Sequence, residues 1–299
     1  MKFNNIHIKG YSRCLPHTAQ SNTTLGYDDK WIQKNLGIKS RRISMFENVA
    51  DIGAWSGERA ITYSMIDRKA VDAVIVSCSS PSHFAPSVSS QIIHKLGIHA
   101  PAFDINAVCS GFVYAMEMGC HMINSGGYEN ILVIATEAYS AITDYDNRDC
   151  VYFGDGAGAV MLSKGEGTIY TNIWADGESG DAFVVKAGEK FSMIGKKVSK
   201  RIKEKLPIYI EHALAEADIT TKDVDVFIPH HAAKTVLDAL CKDIRMPLEK
   251  TLTVMEKFAN LASASIPIAL CEVADLKDKT ILMAAIGSGW TYGTVILQL

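Results

Sequence analysis

The sequence predicts an α/β protein built from two related halves, and three observations carry that expectation. Apolar runs of strand length, such as Val71-Asp-Ala-Val-Ile-Val-Ser and Asn130-Ile-Leu-Val-Ile-Ala-Thr, alternate with segments of helical spacing. The same order then recurs. Val224-Asp-Val-Phe-Ile-Pro-His repeats the first run in pattern, and Ile281-Leu-Met-Ala-Ala-Ile repeats Ile131-Leu-Val-Ile-Ala-Thr. Finally, a helix start rich in small residues follows each first strand after roughly 35–40 residues: Ala107-Val-Cys109-Ser-Gly in one case, Ala259-Asn260-Leu-Ala-Ser in the other. The expected division is residues 1–165 and 166–299. Nothing near the junction resembles a flexible linker, so the halves are expected to pack as one unit.

The elements follow in order. Ile6–Gly10 reads as a short opening strand, and Tyr27–Leu36 as a helix with Asp28 and Asp29 early and Gly37 just past its end. Val49–Met65 has helical spacing. Val71–Ser77 is a buried strand, because such strands read as continuous apolar runs. Ser79–Ser87 is a polar loop with Pro81 and Pro86, and Val88–Leu96 a helix ending at Gly97. Ala102–Ile105 is a short strand leading to Cys109. The next helix carries Phe112, Val113, Ala115, Met116 and Met118, and stops near Ser125-Gly-Gly. Phe153-Gly-Asp-Gly-Ala-Gly-Ala reads as a glycine-rich turn before a strand at Val160–Leu162.

Composition narrows the function. The 299 residues are 48% hydrophobic and 21% charged, with a net charge of −3, as in a soluble globular protein with no global attraction to nucleic acid or membrane. No apolar run reaches spanning length, and the N-terminal residues lack the apolar core of a signal peptide. The seven cysteines are scattered, with no C-x-x-C pair, so neither a disulfide framework nor a zinc site is expected, and a reducing cytoplasm is.

Cys109 sits where an apolar strand gives way to a helix with almost no polar face, and such a helix belongs in a large core. The free N–H groups of a helix start favour negative charge, which predicts a lowered thiol pKa and a nucleophile. The repeat supplies partners. Cys109 and Asn260 hold equivalent positions at two helix starts, and His230 ends a second-half strand in Ile228-Pro229-His230-His231. A thiol, an imidazole and a carboxamide in one pocket make a coherent set: nucleophile, proton partner, and neutral donor to an oxyanion.

The sequence resembles the β-ketoacyl-acyl-carrier-protein synthase III family of the thiolase superfamily along nearly its whole length. The anchors are Trp31-Ile32 with Gly37-Ile38 and Arg41, the run Pro101 to Phe112 around Cys109, and Phe153-Gly-Asp-Gly-Ala-Gly-Ala. Further on come Pro229-His230-His231-Ala, Asn260 with its small-residue sequel, and Gly287-Ser288-Gly289-Trp290-Thr291-Tyr292-Gly293. The resemblance implies a five-layered αβαβα fold, a homodimer, no tightly bound cofactor or metal, and a Cys109-His230-Asn260 triad. It implies backbone N–H groups of Cys109 and Ser288 at an oxyanion, and substrate contacts from Trp31, Arg148, Phe84 and Leu261. The implied substrates are thioesters of coenzyme A or of acyl carrier protein, the latter also a partner. An acyl group passes to the cysteine, and a malonyl thioester on the carrier then decarboxylates and condenses with it, in fatty-acid or specialised-metabolite synthesis.

Departures from the family pattern are Lys30 before Trp31, Asn35 in place of an arginine that holds coenzyme A, Ala259 and Leu261 around Asn260, and Ser288 in the closing turn. A basic helix carries Lys196, Lys197, Lys200, Arg201, Lys203 and Lys205 against a single Glu204, and Lys196, Lys197, Lys200 and Arg201 are the candidate dock for an acidic carrier. Pro207 is expected to kink that helix. Two other functions fit the same scaffold: an acyltransferase that passes the Cys109-bound group to an oxygen or nitrogen nucleophile, and a non-catalytic partner subunit.

Overall fold

A computed structural model describes residues 1–178 and 181–299. In chain order the strands are β1 (Lys2–Cys14), β2 (Thr18–Ser21), β3 (Ser40–Ile43), β4 (Ala73–Ser77), β5 (Ala102–Ile105), β6 (Asn130–Ala138), β7 (Asp155–Ala175), β8 (Phe183–Val184), β9 (Ser192–Met193), β10 (Val226–Pro229), β11 (Thr280–Gly287) and β12 (Thr291–Gln298). The α-helices are α1 (Asp29–Leu36), α2 (Val49–Ser64), α3 (Val88–Leu96), α4 (Gly111–Asn124), α5 (Gly195–Glu216), α6 (Lys234–Asp243), α7 (Met255–Phe258) and α8 (Ser265–Leu270). Local chemistry sets several ends. Asp28 caps α1 through the Lys30 N–H, Asn48 and Asp51 form a capping box on α2, and Gly37 and Gly97 close α1 and α3 in the left-handed conformation.

Strand pairing follows one pattern twice. β4 runs parallel to β6, and β6 antiparallel to the first part of β7. β10 runs parallel to β11, and β11 antiparallel to β12. β12 then pairs with the far part of β7, Thr168–Ala175, so this long strand joins the two leaves; β1 lies along its other edge, and β5 ends the path beside β4.

Alternation along the strands explains the layers. Side chains on a strand point to opposite faces in turn. In β6, Ile131, Val133 and Ala135 enter the same core as Ile281, Met283 and Ala285 of β11, together with Phe112, Val113 and Met116 of α4 and Ile266 and Ile268 of α8. Leu132 and Ile134 face the other way, onto Val49, Ala54, Val88 and Ile92 of α2 and α3. Leu282, Ala284 and Ile286 turn instead to Ile202, Leu206, Val236 and Leu240 of α5 and α6. The result is an αβαβα stack of five layers, with α4 and α8 in the middle.

Two expectations change. The opening strand extends well beyond Ile6–Gly10, because β1 pairs with β7 nearly end to end across two bulges. The segment around Gly154–Ala159 is strand from Asp155 onward rather than a turn before one. Its glycines make room for helix α8: a Cβ on Gly158 would lie 2.7 Å from Pro267 Cβ and 2.9 Å from the Ile268 nitrogen. Helix α5 continues through Pro207. Replacing Gly158 by Ala should therefore push α8 off the strand and destabilise the protein by about 1–3 kcal/mol, read as a lower midpoint of urea unfolding.

Candidate active site

Cys109 lies in a 3-10 turn, Val108–Ser110, directly before α4. Val108 adopts φ +49°, a left-handed conformation that strains a β-branched residue by about 1–3 kcal/mol. Partners from both sides hold the turn. Asn106 Oδ1 accepts from the Val108 N–H, and Thr291 from the end of the chain donates its hydroxyl to the Ala107 carbonyl at 3.0 Å. Ser110 Oγ donates to the Thr291 carbonyl at 2.9 Å. A Cβ on Gly287 would sit 2.5 Å from the Ala107 oxygen and 3.1 Å from the Cys109 nitrogen, so only glycine lets this second-half turn touch the cysteine backbone.

The start of α8 has the same geometry. Its turn is Ala262–Ala264, Ala262 has φ +46°, and Leu261 matches Ala107 in backbone angles. This register pairs Cys109 with Ser263 and Asn106 with Asn260. The equivalence expected between Cys109 and Asn260 is thus offset by three residues, one turn of 3-10 helix.

Cys109, His230 and Asn260 nevertheless line one cavity of about 730 Å³, together with Trp31, Arg148, Lys196, Lys200, Lys203 and Ser288. His230 directly follows β10, with its N–H on the Ala284 carbonyl of β11 at 2.7 Å. Asn260 bridges to Phe153, its N–H donating to the Tyr152 carbonyl and its carbonyl accepting from Gly154. Asn260 Oδ1 accepts from the Ala262 N–H at 2.8 Å, which orients the amide and leaves Nδ2 as its free donor.

Burial sets the charges. It pushes the Cys109 thiol well above the ordinary range, the nearby Glu137 carboxylate adds to that, and the backbone N–H opposes both only weakly. This reverses the lowered thiol pKa expected from a helix start, because desolvation outweighs the partial charge of the amides. Burial likewise pulls His230 down to about 4, with the Ala262 backbone opposing, so its imidazole is neutral at pH 7. His231 is fully buried beside it, outside the cavity, and accepts from the Val254 N–H.

Other expected residues divide. Trp31 lines the cavity, and the Arg148 guanidinium stacks on it 3.9 Å from the ring centre. Asn35 Nδ2 turns back onto the Trp31 carbonyl. Lys196 and Lys200 line the cavity, joined by Lys203, which recurs on the same face of α5. Lys197 points elsewhere and pairs with Asp181. Arg201 is turned inward to Asp176, Glu178 and the Tyr292 hydroxyl, so its charge is already matched within the chain. Leu261 is fully buried in the middle core, and Phe84 lies on an exposed loop; neither lines the cavity. Ser288 Oγ donates to the Phe183 carbonyl.

Comparison with known proteins now adds to this geometry. Residues 103–192 match the family described as 3-Oxoacyl-[acyl-carrier-protein (ACP)] synthase III, and residues 214–299 match its C-terminal part. A β-ketoacyl-[acyl-carrier-protein] synthase III of Clostridium perfringens is 33% identical, with 99% of each chain covered. A synthase III of Vibrio vulnificus is 35% identical, covering 97% of this chain and 87% of that one. The crystal structure of the Aquifex aeolicus synthase III superposes with a TM-score of 0.95 at 31% identity, covering 98% of this chain and 100% of the other.

The chain belongs to the 3-oxoacyl-[acyl-carrier-protein] synthase III family. Its five layers are the thiolase-like fold, and the synthase III family is one of acyltransferases that condense.

One buried group near Cys109 has no counterpart among the residues expected from the sequence. Glu137, at the end of β6, is fully buried, and its carboxylate accepts from Ser79 N–H and Oγ, Ser80 Oγ and Ser263 Oγ, the last two at 2.6 Å. The only hint was an acidic residue at the end of a continuous apolar strand. Burial pushes this carboxyl up to about 7, from 4.5 in the open chain. The folded state holds the proton longer than the unfolded one, so the stabilisation is complete below pH 4.5 and lost as pH rises through 7. Glu137→Gln should remove that loss, flattening a fall of about 3 kcal/mol between those limits in urea titrations.

Proposed function

We propose that this chain works as a β-ketoacyl-[acyl-carrier-protein] synthase III-type condensing enzyme, with Cys109, His230 and Asn260 as its catalytic residues. The observation that carries this is their convergence on one cavity, with a neutral imidazole and an oriented amide donor beside a half-buried thiol. A thiol held in its protonated form attacks most readily if its proton leaves as the new bond forms. Neutral His230 supplies a lone pair for that proton, and the departing thiol of the donor thioester takes it up in turn. The acyl oxygen, negative during the attack, meets backbone N–H groups of Cys109 and Ser288.

In the second half-reaction a malonyl thioester on acyl carrier protein loses CO₂. The electron pair of the broken bond is held as an enolate, whose oxygen accepts from His230 and from Asn260 Nδ2. The enolate carbon then bonds to the acyl carbon, Cys109 leaves as thiolate, and the product is a β-ketoacyl thioester. Trp31 and Arg148 form a flat cationic rim, and Lys196, Lys200 and Lys203 provide positive charge to receive the phosphate of a pantetheine arm or an acidic carrier surface. The donor thioester is carried by coenzyme A or by the carrier itself.

We further read the chain as two related halves dividing near residue 165, acting as a homodimer in the cytoplasm. The free edge of β5 and the exposed Phe84 suit a partner copy, and seven free thiols suit a reducing compartment.

Acylation and condensation can be followed separately. Wild-type protein should gain one acyl mass from a thioester and release CO₂ when malonyl carrier follows; Cys109→Ala should do neither. Asn260→Ala should still take up the acyl group but release CO₂ about 100-fold more slowly, a loss typical of one oxyanion donor. An acyl group lost to water or another nucleophile, without CO₂, would indicate simple acyl transfer. Reversing charge in Lys196→Glu and Lys200→Glu should raise KM for the carrier substrate by about tenfold at low salt and leave kcat nearly unchanged.

A further inference from the structure

Arg201 neighbours Lys200 on α5, yet it does not line the cavity, and its side chain is only 15% exposed. Its guanidinium instead closes a ring of hydrogen bonds. Nε donates to the Tyr292 hydroxyl at 2.8 Å, that hydroxyl donates to the Asp176 carboxylate at 3.2 Å, and Arg201 Nη2 reaches the same carboxylate. Glu178 lies 3.1 Å from Nη2 as well. A planar fork serves several acceptors at once in fixed directions, which the single point charge of a lysine does not.

This ring borders the loop that closes on the cysteine. β11 ends at Gly287 and β12 begins at Thr291, so Ser288, Gly289 and Trp290 connect them. Gly289 adopts φ +75°, and Trp290 follows with φ +52°, a conformation in which a bulky residue is strained. Trp290 is buried all the same, in the outer core with Ile202, Ile286 and Tyr292. It is held from two directions. The Arg201 guanidinium stands 5.4 Å from its ring centre, and the Asp176 N–H donates to its carbonyl at 3.3 Å. Arg201 and Asp176, joined to each other, thus grip Trp290 by ring and by backbone.

In a three-residue connection between paired strands, the dihedral angles of one residue aim the others. A Trp290 relaxed to negative φ would swing the Ser288 N–H, two residues earlier, out of its direction. We propose that Arg201 is a positioning residue for the synthase reaction, holding Trp290 in its left-handed conformation and with it the Ser288 N–H at the acyl oxygen. The proposal rests on the reading of Ser288 as an oxyanion donor to the acyl group on Cys109. Arg201 lies outside the cavity, so its effect on the rate passes through the loop.

The test uses the acetyl thioester of N-acetylcysteamine, which has neither carrier nor phosphate, so a basic dock contributes nothing to its reaction. Adduct formation on the full-length protein, timed by intact mass at saturating thioester, reads acylation alone. Arg201→Lys keeps the charge and loses the fork, and it should load acetyl about tenfold more slowly than wild type. CO₂ release from malonyl carrier by the preloaded acyl-enzyme should change by less than about threefold, because that oxyanion meets His230 and Asn260 instead. Tyr292→Phe opens the same ring of hydrogen bonds without changing any charge. It should show the same split between the two steps, and it serves as the test if Arg201→Lys does not fold. Loading at the wild-type rate in whichever variant folds would overturn the proposal. So would an equal fall in both steps, which marks a general structural defect, or a raised KM for the carrier substrate as the sole change, which marks a dock. No adduct on wild type, or an equal adduct on Cys109→Ala, would overturn the reading of the site itself, and the role of Arg201 with it.

Discussion

Helix α4 is buried along most of its surface, and that single constraint shapes the site. Phe112, Val113, Ala115, Met116 and Cys120 are all fully buried, so the helix needs apolar cover on more than one side. One sheet leaf cannot give it. The inner faces of β6 and β11 together do, which is why the chain forms two leaves with this helix between them. The N-terminal end of α4 is then held by groups that lie far apart in sequence. Thr291 and Gly287 touch the backbone of the Cys109 turn directly, and the strained φ of Val108 persists because these contacts over-determine it.

What the sequence made legible depended on whether a feature is local. β4, β6, β10 and β11 showed as continuous apolar runs because burial on both faces demands them. Asp28, Asn48, Ser87, Gly37 and Gly97 act within a few residues, so the bounds of their helices lie close to the pattern. Ile6–Gly10 was legible as a strand, but the full extent of β1 was not, because its length comes from pairing with β7, more than a hundred residues away. Gly156 and Gly158 read as a turn because nothing local shows that Pro267 and Ile268 lie on the strand they belong to.

The candidate site was legible in part for the same reason. The repeat pointed to Cys109, His230 and Asn260 as residues that meet, although the register between the two helix starts differs by three. Lys197 and Arg201 looked like members of one basic patch, yet Asp181, Asp176 and Glu178 come from the preceding segment and claim them. Glu137 was out of reach because its meaning lies in its neighbours: Ser79 and Ser80 from beyond β4 and Ser263 from the other half.

Burial that serves the fold also sets the charge state of the groups at the site. A thiol raised by desolvation and an imidazole lowered by it form a pair that is uncharged at neutral pH, and Asn260 adds a donor without charge. A preformed thiolate–imidazolium pair at this depth would face the desolvation of two ions. In the proposed reaction, neutral partners avoid that cost in the resting protein and defer charge separation until a thioester carbonyl is present to receive it. Donors aimed at a developing oxyanion are then most effective, because the same dry surroundings that disfavour charge at rest strengthen each hydrogen bond to it in the transition state. Glu137 lies within the same field. While ionised it raises the thiol further, and the serine hydroxyls that hold it favour that ionised form. The core that buries α4 and the raised pKa of the cysteine at its start therefore share one cause, the apolar packing of the middle layer.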